Sequence, residues 1–171
     1  MKNTMLGFIS CLLLSVTTAY AEDSDNKVKL SDLSWIDKKD FDKQRTYVDD
    51  IGREQFGTRE RKNKSDLKLL QRIIRREIVG AYDHQEQKAL GIILGDIYVA
   101  EHNWQWQEYK DDEGRSYGVC IPKTQHCVFP MSMMTRRLRV THKVDVNRIY
   151  ERGLSLMDSV MPKSPYSVEE D

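Results

Sequence analysis

The stretch ALGIILGDIYVAEHNWQWQEY, residues 89–109, contains the change of hydrophobic period on which the fold prediction rests. Its first part carries apolar residues at helical spacing, which predicts an amphipathic helix: Leu90, Ile93, Leu94 and Ile97. Its second part alternates indoles with glutamines, which predicts a strand with Trp104 and Trp106 on one face. The stretch therefore indicates a domain in which helices precede a sheet.

Two glycines, Gly91 and Gly95, lie one turn apart within this predicted helix. Glycine costs a helix interior up to about 1 kcal/mol relative to alanine, so two of them indicate a packing requirement. We expect a groove of small residues here, which lets another backbone approach closely.

Strand signals continue beyond the indoles. The alternation of Tyr117, Val119 and Ile121 with small or polar residues predicts a second strand. A turn at 122–125 then leads to a returning strand that starts at Cys127. Together the three strands predict an antiparallel meander.

Helices are predicted on both sides of this meander. Upstream lie a helix that ends by Gly57, a second helix over 65–80, and a third that begins with a capping box of Asp83 and Glu86. Downstream, a short helix and a final helix are predicted, with their caps at Ser132 and Asp145.

This order predicts an α+β fold: N-terminal helices, a three-stranded antiparallel meander, and C-terminal helices packed on one sheet face.

The N-terminus has the features of a secretory signal peptide. Lys2 precedes an apolar run over 5–16, and small residues at Ala19 and Ala21 match the positions that a signal peptidase reads. The run is shorter than the roughly 20 residues that cross a bilayer. We expect cleavage after Ala21, which makes the protein periplasmic or secreted.

The remaining chain of about 150 residues fits one domain. The predicted organisation is a signal peptide (1–21), a flexible lead-in (22–34), a single α+β domain (35–161) and a disordered acidic tail (162–171).

The cysteines change in number with this cleavage. Cys11 leaves with the signal peptide, and the mature chain keeps Cys120 and Cys127. In an oxidising compartment, two cysteines that face each other across a hairpin predict a disulfide. A zinc site would need four ligands, and a catalytic redox pair usually has a two-residue spacer, so both alternatives fit less well.

The net charge of the mature chain argues against a nucleic-acid partner. Loss of Lys2, the only charged residue of the signal peptide, changes the formal net charge from 0 to −1. A neutral chain with interspersed signs has no broad electrostatic footprint for nucleic acid, so we expect no nucleic-acid partner. The mature chain has no second long apolar segment, so no stable membrane insertion is expected after cleavage.

Six motifs occur in a characteristic order: DLKLLQ, ALGIILGD, W-x-W, DEGRSYGV, FPMSMMTRRL and VDVNRIYE. They resemble the bacterial domain-of-unknown-function family 3806, over about Gly52 to Leu154. The resemblance implies a single α+β domain that is often exported, and it supplies no catalytic residues.

No familiar catalytic constellation occurs in the sequence, and neither a metal site nor a cofactor is expected. The four histidines lie near predicted element ends or in loops, without a partner at metal-ligand spacing, so exposed structural positions are expected for them: His84, His102, His126 and His142.

A polar and aromatic set from the motifs is the candidate binding cluster: Asp96, Trp104, Trp106, Asp111, Arg115, Arg136 and Arg137. An arginine fork over a carboxylate or an indole could hold an anionic ligand or a protein loop. In the alternative interpretation, Asp96 and Arg136 form a structural ion pair and the indoles belong to the core. Within this cluster, Asp111 and Arg115 are expected to shape the turn between strands rather than to bind a ligand.

The leading hypothesis is a non-catalytic binding module with a protein partner in the envelope, and an inhibitor or immunity protein is its sharper version. One alternative is a binder of a sugar or an anionic metabolite, with the two indoles as a stacking wall. Another is an envelope enzyme that uses carboxylates and histidines which converge in space.

Overall fold

The computed structural model describes residues 28–141 and 143–161. The predicted signal peptide (1–21), the predicted tail (162–171) and His142 lie outside the described residues. The elements in chain order are β1 (Lys29–Asp32), α1 (Trp35–Phe56), α2 (Asp66–Arg75), α3 (His84–His102), β2 (Gln105–Asp111), β3 (Gly114–Cys120), β4 (Cys127–Val128), α4 (Pro130–Leu138) and α5 (Val146–Met157).

The sheet confirms the predicted α+β class and adds one strand to the predicted three. Its order is β1-β2-β3-β4, with every neighbouring pair antiparallel. The additional strand, β1, lies inside the segment that was expected to be a flexible lead-in. It pairs with β2 through Leu30 opposite Tyr109. An edge strand of four residues is held mainly by backbone hydrogen bonds, so its side chains carry little hydrophobic pattern.

One face of the sheet packs against the helices. Trp106 of β2 and Tyr117 of β3 both make edge-to-face contacts with Phe41 of α1. Helix α3 lies centrally in this layer and is buried on most of its circumference, as expected of a helix that is apolar nearly all round. The same interior contains the apolar stripes of α2 and α5.

Two helix boundaries and one helix cap differ from the prediction. Helix α2 ends at Arg75 rather than continuing to Gly80, because Glu77 has a left-handed backbone with φ of 53°. The predicted capping box of α3 is absent, since the Asp83 carboxylate instead accepts a hydrogen bond from the N–H of Gly80. Helix α4 starts with Pro130 at its first turn, two residues before the predicted cap.

Other local signals are confirmed. Asp145 caps α5 by accepting a hydrogen bond from the Arg148 N–H at 3.1 Å. The predicted close approach of another backbone is confirmed at Gly91, where the backbone of Met131 lies, whereas the close neighbour of Gly95 is the Trp106 ring.

The predicted disulfide joins Cys120 and Cys127, which are opposite each other in the β3–β4 pair. Because β4 has only two residues, this covalent link supplements very few hydrogen bonds at that sheet edge.

Replacing both cysteines with alanine is expected to lower the free energy of unfolding by about 2.5 kcal/mol, because an eight-residue loop is then no longer closed in the unfolded chain. Urea unfolding of the mature protein, with and without a reductant, measures this loss. The wild type should lose a similar amount on reduction, whereas the variant should be insensitive to the reductant. Labelling of both thiols in the native, unreduced protein would contradict the disulfide.

Candidate functional site

The structure divides the predicted binding cluster among several parts of the molecule. Asp96 of α3 accepts two hydrogen bonds from Arg45, at 2.7 and 2.8 Å, and a third from the Trp106 indole at 2.9 Å. The ion pair of Asp96 is therefore formed with Arg45 of α1 and not with Arg136, as the alternative interpretation expected. Its carboxylate oxygens are engaged by the protein itself, which gives this residue a structural role.

The two indoles belong to different surroundings. Trp104 is 4% exposed and stacks on Tyr98, with 5.5 Å between ring centroids. Trp106 is partly buried between Phe41 and Gly95. Neither ring forms the open stacking wall that a sugar site would use.

A histidine lies beside the buried Trp104. The Nε2 of His102 is 2.9 Å from the Tyr150 hydroxyl, and its ring is tilted against Trp104. Burial lowers the pKa of His102, which favours the neutral imidazole. His84 and His126 are exposed.

The β2–β3 turn accounts for Asp111. Its carboxylate accepts the N–H groups of Glu113 at 2.9 Å and Gly114 at 3.1 Å. The residue therefore shapes the turn, in the way that aspartate side chains commonly do.

Arg115 belongs to a cluster that the sequence analysis missed, centred on Asp37 of α1. The Asp37 carboxylate is buried and accepts hydrogen bonds from Ser34, Arg115 and Tyr117. Burial alone would raise the pKa of Asp37, but the hydrogen bonds from Ser34 and Tyr117 and the charge of Arg115 outweigh it and lower the pKa to about 2. The capping-box spacing of Ser34 and Asp37 was a signal that could have identified this helix start.

The other two predicted residues, Arg136 and Arg137, lie together at an open groove between the end of α4 and helix α5. The groove has a volume of about 820 Å³, and its lining is strongly basic: Arg136, Arg137, Lys143, Arg148 and Arg152, against only Asp145 and Glu151. We call it the basic groove.

The two acidic residues of the basic groove are engaged elsewhere. The Asp145 carboxylate caps α5, and Glu151 lies 3.5 Å from the ammonium group of Lys64. Within the part of the chain that the structure describes, none of the five cationic side chains has a carboxylate within ion-pair distance. The groove thus carries an excess of positive charge that carboxylates of the described residues do not neutralise.

Apolar side chains accompany these charges. Val144 and Ile149 contribute to the lining, and Val140 at its rim is 83% exposed. Of these apolar lining residues only Val140 is exposed, since Val144 and Ile149 are buried. Cationic groups beside an exposed apolar side chain suit a ligand that presents both carboxylates and apolar groups.

Residues 28–141 and 143–161 contain no group of three or more histidine, cysteine or acidic side chains arranged to hold a metal ion. Over the same residues, no helix combines the length and apolar character needed to traverse a bilayer.

The family model described as "Domain of unknown function (DUF3806)" matches residues 66–150, which confirms the resemblance predicted from the motifs. No curated protein matches the chain. A crystal structure from Bacteroides thetaiotaomicron VPI-5482 has a similar fold, with a TM-score of 0.67 at 14% sequence identity. The match covers 80% of this chain and 51% of that chain, so this chain spans about half the length of the solved one. At this identity the likeness concerns the fold alone.

Proposed function

We propose that this chain, which over residues 66–150 belongs to the DUF3806 family, is an exported, non-catalytic module that binds an acidic segment of a partner protein in its basic groove. The predicted signal peptide and the Cys120–Cys127 disulfide support the exported location, because disulfides persist in oxidising compartments.

The observation that carries the proposal is the excess of cations around the groove that form no ion pair with any described residue. Guanidinium groups present a planar fork of donors that matches a carboxylate, and four of the five cations are arginines. Arg137 also donates a hydrogen bond to the Met133 carbonyl at 3.0 Å, which restricts its side chain.

The shape of the site supports a protein partner over a small molecule. A small-ligand pocket usually encloses most of its ligand, whereas this groove is open along α5 and has exposed Val140 at its rim. Apolar anchors surrounded by charged groups are common at protein interfaces. The alternative of a sugar or metabolite binder that uses the indoles gains no support, because Trp104 is buried. The alternative of an enzyme gains none from Asp96, because its carboxylate oxygens already accept hydrogen bonds from the protein.

Reversing two groove charges, Arg148→Glu with Arg152→Glu, is expected to weaken partner binding about 30-fold, because two attractive contacts become repulsive. The measurement is capture of a partner in the native envelope by a photo-crosslinking residue placed at Val140, followed by titration of the purified pair.

A control pair, Lys38→Glu with Lys88→Glu, makes the same change in net charge at exposed positions outside the groove lining. This variant should bind as the wild type does. A photo-crosslinker at Tyr82, which is 89% exposed and also outside the lining, should capture nothing specific. Equal binding by both charge-reversed variants, or no specific cross-link at Val140 in abundant folded protein, would contradict the proposal.

A further inference from the structure

The segment between α1 and α2, residues 57–65, is held to the body of the protein by carboxylates. Its Glu60 N–H donates to Asp49 of α1 at 3.0 Å, and its Lys64 N–H donates to Glu101 of α3 at 2.9 Å. The N–H groups of Arg61 and Asn63 both donate to Asp66 at the start of α2. We call this segment the linker.

Glu60 is the exception among the linker's side chains, because its Oε1 atom is enclosed without any hydrogen-bond partner. The residue borders a cleft of about 460 Å³ between α1 and the linker. Two further carboxylates lie close enough to repel its charge, Asp96 of α3 and Asp66 of α2. Asp96 already accepts hydrogen bonds from Arg45, and Asp66 accepts them from the linker itself. Ionisation of Glu60 would therefore be opposed by the negative charges of Asp96 and Asp66.

The other charged groups around Glu60 only partly offset this repulsion. Lys62 of the linker and Arg45 of α1 are the facing cations, but Arg45 is committed to Asp96. The remaining charged lining of the cleft comes from α1 and the linker: Asp42, Asp49, Asp50, Arg53 and Arg59. Within it, Arg53 pairs with Asp49 and Asp50, and Asp42 pairs with Arg45.

We propose that Glu60 is a pH-sensitive latch, which holds the linker against α1 and α3 while its carboxyl group is neutral and loosens it on ionisation. A neutral carboxyl can remain in the enclosed position at much lower cost than a carboxylate, because burial penalises the charged form far more strongly. An ionised carboxylate is driven towards solvent by Asp96 and Asp66, and its movement strains the backbone contacts on either side of it.

The titration range follows from the surroundings. Burial, followed by the charges of Asp96 and Asp66, raises the pKa of Glu60 to about 7, and Lys62 and Arg45 offset only part of this. The ordinary pKa of a glutamate is 4.5. Between pH 4.5 and about 7, Glu60 therefore keeps a proton in the folded protein that it has lost in the unfolded chain. The latch therefore stabilises fully below pH 4.5 and is lost as the pH rises through about 7. It operates whether or not the basic groove binds a partner.

Amide hydrogen exchange in the mature protein tests the latch. After correction for intrinsic rates, the linker amides of Arg61 and Asn63 should exchange about tenfold faster at pH 8 than at pH 5.5, because ionisation favours local opening. In Glu60→Gln, a neutral mimic, protection should stay the same at both pH values. The control Glu54→Gln alters an exposed carboxyl of α1 and should behave as the wild type.

Carbon-13 NMR of the Glu60 carboxyl in the wild type gives an independent result that does not depend on the folding of any variant. A midpoint near 7 is expected. The proposal is overturned by a midpoint near 4.5, by linker protection that does not change with pH, or by a Glu60→Gln variant that keeps the full wild-type pH dependence.

Discussion

Replacing Gly91 with alanine is expected to lower the free energy of unfolding by about 3 kcal/mol, although alanine is the better helix former by about 1 kcal/mol. A Cβ atom at this position of α3 would lie 2.4 Å from the Cα of Met131, 2.8 Å from its nitrogen and 3.0 Å from the Pro130 carbonyl oxygen. All three neighbours are backbone atoms, so no rotation of a side chain can relieve the clash.

The clash should separate α3 from the first turn of α4. Helix α4 buries the apolar side chains of Met133, Met134 and Leu138, so the separation would expose part of the core. Urea unfolding of the mature protein measures the loss. The matched control is Gly80→Ala, where the nearest atom to a new Cβ is a side-chain oxygen of Asp83 at 3.0 Å. This side chain can rotate away, at the cost of its hydrogen bond from the Gly80 N–H. We expect that variant to lose less than about 1 kcal/mol. An unchanged midpoint for Gly91→Ala would show that α4 does not pack against α3 in this way.

Local patterns account for the parts of the fold that the sequence predicted. The helical period of α3, the alternation in β2 and β3, and the paired cysteines each depend on neighbours within one or two elements. The close approaches at Gly91 and Gly95 were predictable because glycine is unfavourable in a helix unless packing requires it. Strand β1 was missed because its pairing partner lies far along the chain and its own residues show no period.

The candidate site was predicted less well, because side-chain partners at long range leave no local pattern. Arg45 and Asp96 are 51 positions apart, and nothing near Asp96 in the sequence distinguishes Arg45 from Arg136 as its partner. The net charge of the chain did not indicate the basic groove either, because a near-neutral sum is compatible with a local cluster of basic residues. The run from 136 to 152 contains six basic residues and two acidic ones, so a charge count over a short window would have indicated the basic groove.

The second prediction concerns the Arg45–Asp96–Trp106 contact between α1, α3 and β2. Asp96→Ala is expected to lower the free energy of unfolding by about 4 kcal/mol, because it leaves a largely buried guanidinium and an indole N–H without their acceptor. The side chains of Arg45 and Asp96 are only 23% and 12% exposed, so water replaces the lost carboxylate poorly. The Asp96 hydrogen bond raises the pKa of Arg45 in the wild type. The guanidinium also remains charged in the variant, because arginine is protonated at ordinary pH without any such partner.

A double substitution distinguishes the cost of leaving Arg45 without its partner from the cost of lost packing. Arg45→Met with Asp96→Leu removes both charges and retains apolar volume, so it should recover a large part of the stability lost in Asp96→Ala. Asp42→Ala is the matched control, because Asp42 also pairs with Arg45 but its side chain is 73% exposed, and we expect a loss below about 1 kcal/mol. Equal, small losses for Asp42→Ala and Asp96→Ala would mean that Asp96 is not a structural residue. Its carboxylate would then be available to a ligand, and the binding cluster predicted from the sequence would regain its central member.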